Sequence, residues 1–253
     1  MKVTPIKTKK VEVGDKLFDV LDESLPKLKE KDVVVITSKI VSITQGRVLK
    51  NDGSIDKTQL VKKEADLYLP EEYVNFGVFL TIKNNIMIAS SGIDESNGHG
   101  YYILWPENLI EETNKIWEYL RKKHGIKQLG VVVTDSKLAP MRKGVTGVGL
   151  SWCGFEPIRN YIGKPDIFGK PLRVETLNIV DCIAAASVLE MGEAYEQTPL
   201  GIVNEIGQID FVDRTPSKQE LDEMKIDLGE DVFTGILKSV DWKKGGLIDR
   251  KDL

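Results

Sequence analysis

Histidine and cysteine are scarce in this sequence, and their scarcity excludes several classes of catalytic site. The two cysteines, Cys153 and Cys182, are too few for a disulfide framework or a cysteine-based zinc site, and we expect free, buried thiols. One histidine, His124, ends a basic segment before Gly125, which is typical of a helix C-terminus. The other, His99, could contact a substrate or lie in an exposed turn. A Ser-His-Asp or Cys-His hydrolase is therefore poorly supported.

Long apolar runs and a basic excess are also missing. No apolar run approaches the ~18 residues of a membrane span, and residues 1–5 lack the apolar core of a signal peptide. The 35 basic and 39 acidic residues give a net charge of −4, which argues against a nucleic-acid-binding protein. We therefore predict a cytoplasmic protein that binds neither membranes nor nucleic acids.

The standard phosphate-binding motifs are absent as well. The sequence contains neither a G-x-x-x-x-G-K-[ST] loop nor a G-x-G-x-x-G fingerprint. The glycine-rich segment at residues 144–149 matches neither motif, and a bulged strand explains it about as well as a ligand site does. A bound nucleotide would therefore have to be held by some other structural motif.

Apolar runs alternate with segments of helical spacing, which predicts a mixed α/β (α+β) fold. The length of 253 residues allows one large domain or two intimate ones, and we predict a single domain over residues 1–253 with a helical tail at 206–253. Strands are predicted at residues 32–37, 86–89, 101–105, 129–134, within 144–160, and at 173–176. Helices are predicted at residues 17–28, 57–83, 106–125 and 178–191, and around 216–224 and 229–239.

Three acidic loops, each just after an apolar run, are the most informative feature that is present. They carry Asp94, Asp135 and Glu193. A carboxylate at the mouth of a buried strand is held rigidly yet reaches solvent, and Mg²⁺ typically takes one or two carboxylates together with substrate phosphates. We predict that the three acids converge on a metal. The cations Arg142 and Lys143 begin seven residues after Asp135 and would stabilise charge on a transferred phosphoryl group.

Each of these features also has a structural explanation, which stays open at this point. An aspartate after a strand is more often a turn or cap residue than a ligand. Met191-Gly192 could be a helix end, and Ser38-Lys39 could be a helix N-cap. Arg142 and Lys143 could belong to a solvated loop.

Four segments in order, at residues 36–47, 92–97, 133–145 and 191–193, resemble the gamma-glutamyl ligase family typified by the coenzyme F-420 (deazaflavin) glutamate ligase. The similarity runs from about residue 10 to 205. The resemblance implies a mixed α/β fold of two intertwined parts and a homodimer with sites near the subunit interface. It also implies a nucleoside triphosphate, GTP or ATP, and two Mg²⁺ or Mn²⁺ ions.

The resemblance also implies roles for individual residues. Asp94 and Asp135 would bind one metal, and Ser136 and Glu193 would bind the second. Nucleotide-contacting positions would be Ser38, Lys39, Asn97, Met191, Gly192, Glu193, Glu196, Gln197 and Thr198.

Two departures from the family pattern bear on the substrates. A lysine common in the family is Ile43 here, although Lys39 could substitute for it. The family's Gly-Glu-Gly-Gly-Asp loop is replaced at residues 192–199, and this variant, with residues 101–106, resembles a bacterial branch proposed to add glutamate to folate. We therefore predict a ligase that adds L-glutamate to a deazaflavin or pterin acceptor through an acyl phosphate. The alternative is a non-catalytic protein that binds nucleotide or metal on the same scaffold.

Overall fold

The computed structural model describes residues 1–246, which form a mixed α/β fold, as predicted. The strands are β1 Lys2–Ile6, β2 Asp32–Thr37, β3 Val48–Lys50, β4 Leu67–Tyr68, β5 Leu80–Lys83, β6 Ile86–Ala89, β7 Tyr101–Ile103, β8 Leu129–Leu138, β9 Val145–Cys153, β10 Ile158–Asn160, β11 Thr176–Asn178, β12 Leu200–Asn204 and β13 Lys243–Lys244. The helices are α1 Leu17–Ser24, α2 Ser38–Thr44, α3 Lys57–Glu64, α4 Leu109–His124, α5 Ile179–Met191, α6 Lys218–Glu223 and α7 Thr234–Leu237. Short 3-10 helices lie at Glu71–Tyr73 and Ser90–Gly92.

A five-stranded sheet in the order β1-β12-β2-β8-β9 forms the centre of the structure. Strands β2 and β8 are parallel and in register from Asp32 opposite Leu129 to Thr37 opposite Thr134. Both are buried runs of valine and isoleucine, as expected for strands that are covered on both faces. Because parallel strands end at the same edge of a sheet, the residues that follow Thr37 and Thr134 emerge side by side.

The two faces of the central sheet carry separate hydrophobic clusters. Alternate side chains of β2 and β8 pack against α1, α2 and α4 on one face. The intervening side chains pack against α5 and the segment after β12 on the other face. Among the described residues no helix is both long and apolar enough to cross a membrane.

A second, smaller sheet has the order β13-β4-β5-β6, and its strands β4 to β6 lie in the chain between α3 and α4. A third hydrophobic cluster joins α3 to Phe79, Ile93 and Tyr102. The last strand of the small sheet in sequence, β13, comes from the tail and pairs antiparallel with β4. The loop that carries Asp94 follows β6, so the small sheet holds one of the predicted site residues. The division into domains or intertwined subdomains stays a prediction.

Several sequence predictions are confirmed. The strands at 32–37 and 86–89 have the predicted bounds, α5 closely matches the predicted helix, and α4 ends at His124 with Gly125 in the left-handed region at φ 67°. The helix predicted at residues 17–28 is shorter than predicted. It ends at Ser24 because Leu25 precedes Pro26 and is extended, with ψ 131°. A register shift between Val133 and Thr134 leaves Leu150 of β9 as an extra residue, so this strand is bulged just after the glycine-rich segment.

Other predictions are wrong. Within the region predicted to be helical at 57–83, Lys57–Glu64 is an α-helix and Glu71–Tyr73 is a short 3-10 helix, because the flanking residues pair as β4 and β5. The strand predicted at 173–176 is shifted to Thr176–Asn178. The second tail helix is limited to four residues, Thr234–Leu237, and residues 247–253 of the predicted tail lie outside the described residues. Cys153 is buried as expected, but Cys182 is exposed.

Two glycines of the glycine-rich segment allow α5 to approach β9 closely. A Cβ atom on Gly147 would lie 2.4 Å from the carbonyl oxygen of Ala184. A Cβ atom on Gly149 would lie 2.2 Å from Cγ1 of Val180. Close packing between helix and strand therefore accounts for both glycines.

We expect Gly147→Ala to lower the free energy of unfolding by about 1–3 kcal/mol, since the added methyl group overpacks a rigid contact with helix backbone. The matched control is Gly207→Ala, where an added Cβ meets no atom within 4 Å. Urea denaturation of both variants checks the prediction. Equal midpoints for the two variants would contradict it.

Candidate functional site

The parallel pairing of β2 with β8 ends at Thr37 and Thr134, and this brings the next residues, Ser38 and Asp135, together. Asp135 follows Thr134 in β8, and Ser38 follows Thr37 as the first residue of α2. One carboxylate oxygen of Asp135 accepts a hydrogen bond of 2.8 Å from the backbone N–H of Ser136. The other accepts a hydrogen bond from the indole N–H of Trp105.

Burial raises the pKa of Asp135 from an ordinary 3.8 to about 6. The hydrogen bonds from Ser136 and Trp105, and the nearby hydroxyl of Ser38, act in the opposite direction. The negative charge of Asp94 is close enough to raise the pKa further. Asp94 and Asp135 are therefore neighbours, although 41 positions separate them in the sequence.

Asp94 is held by backbone and side-chain contacts at the end of its loop. Its backbone exchanges hydrogen bonds of 2.9 and 2.8 Å with Ile103. Its carboxylate lies 2.6 Å from Nζ of Lys39 and accepts a hydrogen bond of 2.7 Å from the N–H of Ser96. Burial, the largest single influence, would raise the pKa of Asp94, but the charge and hydrogen bond of Lys39 together with the hydrogen bonds of Ser96 outweigh it, and the pKa is lowered. Lys39 is thus the cation that the fold places at this carboxylate.

Ser136 and Glu193 form a second pair. The Ser136 hydroxyl donates a hydrogen bond to a carboxylate oxygen of Glu193, which lies just after α5. Successive side chains of a strand point to opposite faces, so Asp135 turns toward Asp94 while Ser136 turns toward Glu193. Within residues 1–246 no group of three or more His, Cys, Asp or Glu side chains could hold a metal ion, so the three acids do not form one cluster. The assignment of the two pairs to two metals stays a prediction.

A side-chain hydrogen bond connects the loop of Asp94 to the loop of Glu193. Nδ2 of Asn97 donates to the carbonyl of Ala194 over 2.8 Å. Both loops therefore lie next to Asp135 and Ser136 of β8. The Asp94–Asp135 pair is on one side of the strand and the Ser136–Glu193 pair is on the other.

The variant loop at residues 192–199 is held mainly by its own side chains. Gly192 has φ 80°, and a Cβ atom there would lie 2.5 Å from the carboxyl carbon of Glu196. Glu196 accepts a hydrogen bond of 2.8 Å from the N–H of Ala194, and Gln197 donates one of 2.6 Å to the carbonyl of Thr8. Thr198 donates to the carbonyl of Met191, whose side chain is buried. These side chains shape the loop, whereas the side chain of Tyr195 is 91% exposed.

Arg142 and Lys143 lie apart from the acids within one chain. They are exposed in the turn between β8 and β9, and neither forms an ion pair with any of the described residues. At ~3.3 Å per strand residue, the end of β8 is already about 10 Å from Asp135. The structure does not bring these two cations to the carboxylates of the same chain.

A cavity of about 210 Å³ lies next to Asn97. It is smaller than the ~300–1,000 Å³ of a typical small-molecule pocket, so it would hold part of a ligand rather than a whole one. Ile43 lies in its wall in place of the family's lysine, and His99 also lines it. The other lining residues are Val11, Glu12, Val13, Val48, Gly98 and Tyr101.

Sequence comparison identifies the family. The family model described as F420-0:Gamma-glutamyl ligase matches residues 5–205. This chain belongs to that gamma-glutamyl ligase family. Proteins named coenzyme F420:L-glutamate ligase are similar to it: the one from Methanopyrus kandleri is 30% identical over 207 residues, covering 76% of this chain and 81% of the relative. The one from Methanocaldococcus jannaschii is 29% identical over 190 residues, covering 70% and 76%.

The match confirms the resemblance that the four ordered segments indicated. The gamma-glutamyl ligase match includes both acid pairs, Lys39 and the loop at 192–199. Residues 206–246, which include β13 of the small sheet, lie beyond it. The sequence pattern does not indicate that Trp105 contacts a site residue. Its contact with Asp135 spans 30 positions and left no local signal.

Proposed function

We propose that this protein is a nucleoside-triphosphate-dependent ligase that joins L-glutamate to the carboxylate of a deazaflavin or pterin acceptor through an acyl phosphate. The observation that supports the proposal is that Asp135 lies near Asp94 while the adjacent residue of β8, Ser136, is hydrogen-bonded to Glu193, in a chain of the gamma-glutamyl ligase family. The name of the relatives favours the deazaflavin acceptor. The variant loop at 192–199 favours a folate-type acceptor.

The donor set fits Mg²⁺ or Mn²⁺. Asp94 and Asp135 would hold one ion, and Ser136 and Glu193 the other. These hard cations prefer oxygen ligands, and Mg²⁺ usually takes one or two carboxylates and completes its shell with water and substrate phosphates. Pairs of protein ligands are therefore sufficient if the ions bind together with the nucleotide. When bound, the ions would neutralise charge on the phosphate oxygens.

The energetic problem of the reaction is the leaving group. A carboxylate is a poor acyl donor because its amide-forming reaction would have to expel oxide. Transfer of the γ-phosphoryl group to the acceptor carboxylate gives an acyl phosphate and a nucleoside diphosphate. The amine of glutamate then attacks the acyl carbon, loses a proton and displaces inorganic phosphate, which leaves an amide.

The protein's cations would assist phosphoryl transfer by stabilising charge. Lys39 already lies beside the first acid pair, and we retain Arg142 and Lys143 as candidates because the β8–β9 turn is exposed and unconstrained by ion pairs to the described residues. The nucleotide would contact Ser38, Asn97 and the backbone of the loop at 192–199. We propose either GTP or ATP as the donor.

Phosphate release tests this proposal. The ligase should release phosphate from GTP or ATP only when Mg²⁺ or Mn²⁺, L-glutamate and an acceptor are all present. The non-catalytic alternative predicts that nucleotide binds, for example in calorimetry, without any release. Release that ignores glutamate and acceptor would indicate a simple nucleotidase and would contradict the ligase.

We also propose that the protein is a homodimer. Helix α5 is apolar on almost all sides, which is typical of a buried helix, yet Cys182 and Leu189 are exposed and Leu189 is 80% exposed. The turn between β8 and β9 and the strand residues next to it expose Leu138, Met141 and Val145. A second copy of the chain would cover this apolar surface.

We expect twice the 28.3 kDa of one chain in light scattering at micromolar concentration. Leu189→Asp should give the mass of a monomer, because a charge in a desolvated interface is costly. Val232→Asp is the matched control, since Val232 is 88% exposed but lies in the tail. A monomeric mass for the unmodified protein would contradict the prediction.

A further inference from the structure

Trp105 lies between the small sheet and the central sheet, at the point where the first acid pair forms. The residue follows β7 and is 2% exposed, and its indole N–H donates to Asp135 of β8. Its ring lies where a side chain on Gly92 would be: a Cβ atom there would be 2.1 Å from Nε1 of Trp105. Gly92 precedes Asp94 by two positions. The indole therefore contacts the segments that carry both acids.

A largely buried ion cluster of Lys83, Glu64 and Arg47 contacts Trp105. Nζ of Lys83 lies 5.7 Å from the centre of the indole ring, a distance at which a cation is attracted to the ring face. Glu64 lies between Lys83, at 2.6 Å, and Arg47, at 2.9 Å. Arg47 also donates a hydrogen bond of 3.2 Å to the carbonyl of Trp105. Ring and backbone of Trp105 are thus both fixed.

We propose that Trp105 is a positioning residue for the metal site, and that it orients the Asp135 carboxylate toward Asp94. The inference rests on the metal site of the proposed function. An indole N–H is only a donor, so Trp105 cannot itself coordinate a metal ion. Its hydrogen bond occupies one lone pair of the Asp135 carboxylate and leaves other lone pairs free to coordinate the metal. Hydrogen bonds that orient a metal-binding side chain typically contribute 10–100-fold to metal affinity.

A purely structural role makes a different prediction. A buried indole N–H needs some acceptor, and Asp135 could serve only that need. Substituting Trp105 would then cost stability but would leave the affinity for metal unchanged. Metal affinity, measured apart from turnover, therefore separates the two roles.

The test is Mn²⁺ binding, measured by calorimetry and by electron paramagnetic resonance of free Mn²⁺, with and without a non-hydrolysable nucleotide. Trp105→Phe removes the N–H and keeps a buried ring, and Gly92→Ala displaces the indole without removing it. We expect each variant to weaken Mn²⁺ binding by about 10–100-fold. The matched control is Trp117→Phe, because Trp117 is also buried and its N–H donates over 2.7 Å to the carbonyl of Leu129, in the core under α4. Its Mn²⁺ affinity should not change.

Unchanged Mn²⁺ affinity in a folded Trp105→Phe protein would overturn the positioning role. If circular dichroism shows that this variant is unfolded, Gly92→Ala decides the question by the same criterion. If the unmodified protein binds no Mn²⁺ even with nucleotide, the metal site of the proposed function fails and the positioning role fails with it. Normal binding in the unmodified protein with no effect of the variants would refute only the role of Trp105.

Discussion

Asp135→Asn is expected to abolish most of the ligase activity and, at the same time, to stabilise the metal-free protein at neutral pH. Loss of the ligand charge should lower turnover by about 10²–10³-fold, a loss typical of a removed electrostatic group in an active site. The free energy of unfolding should rise because burial makes the ionised carboxylate of Asp135 unfavourable in the folded protein. Asparagine has one acceptor oxygen and can accept from Trp105 only with its NH2 group turned toward the N–H of Ser136, which reduces the gain.

The pH dependence of stability checks the second half of this prediction. The pKa of Asp135 is 3.8 in an ordinary environment and about 6 in the folded protein. Below pH ~4 the carboxyl is protonated in both folded and unfolded chains, and between pH ~4 and ~6 only the folded chain retains the proton, so stability falls as pH rises. Above that window the penalty reaches at most about 3 kcal/mol. Thermal unfolding with a chelator present should show a gain of about 1–3 kcal/mol at pH 7.5 and none near pH 3.5.

Asp227→Asn serves as the control, because Asp227 is exposed in the tail. It should change neither turnover nor the pH profile of unfolding. An Asp135→Asn protein that is less stable than the unmodified protein at pH 7.5, or that keeps its turnover, would contradict the role assigned to Asp135.

Glu64→Gln is expected to have the largest effect on stability. Burial alone would raise the pKa of Glu64, but Lys83 and Arg47 outweigh it, so the pKa is lowered and the carboxylate is ionised between two largely buried cations. Glutamine would leave those cations unpaired, and breaking a buried ion pair in this way typically costs about 3–5 kcal/mol. Urea denaturation near pH 7 measures the loss.

Glu71→Gln is a matched control for Glu64→Gln. It also removes a glutamate partner from a lysine, Lys62, at 2.7 Å, but Glu71 is 67% exposed. An exposed pair contributes ~0–1 kcal/mol, so the control should be nearly neutral. Similar losses for the two variants would show that the cluster behind Trp105 is solvated.

The parts of the fold that could be predicted are those encoded by local patterns. The valine runs of β2 and β8, the apolar spacing of α5 and the Gly125 end of α4 all lie within short stretches of sequence. Burial and helix capping act over a few residues, so the bounds of β2 and α5 and the end of α4 agree closely with the prediction. Strand β8 continues four residues beyond the predicted 129–134, because it pairs there with β9. The strands β1 and β12 and the shift of β11 depend on pairing with distant segments, which a single sequence does not reveal.

Some features of the candidate site could likewise be predicted from the sequence, and others could not. Asp94, Asp135 and Glu193 stand out because each follows an apolar element, and the structure places Asp94 near Asp135 and Glu193 next to Ser136. Their separation into two pairs depends on the opposite directions of Asp135 and Ser136 in the strand. The contact between Trp105 and Asp135, and the absence of a side chain at Gly92 beneath the indole, arise only from packing between the two sheets.

The central claim is that this chain forms a new amide bond between L-glutamate and an acceptor carboxylate. The most direct measurement is incorporation of isotope-labelled L-glutamate into the deazaflavin precursor or into tetrahydrofolate, followed by mass spectrometry, with GTP or ATP and with Mg²⁺ or Mn²⁺. The proposed function predicts an acceptor that gains at least one glutamate residue, only when nucleotide and metal are present, and not with Asp135→Asn. Nucleotide binding without incorporation into either acceptor would contradict the claim and favour the non-catalytic alternative.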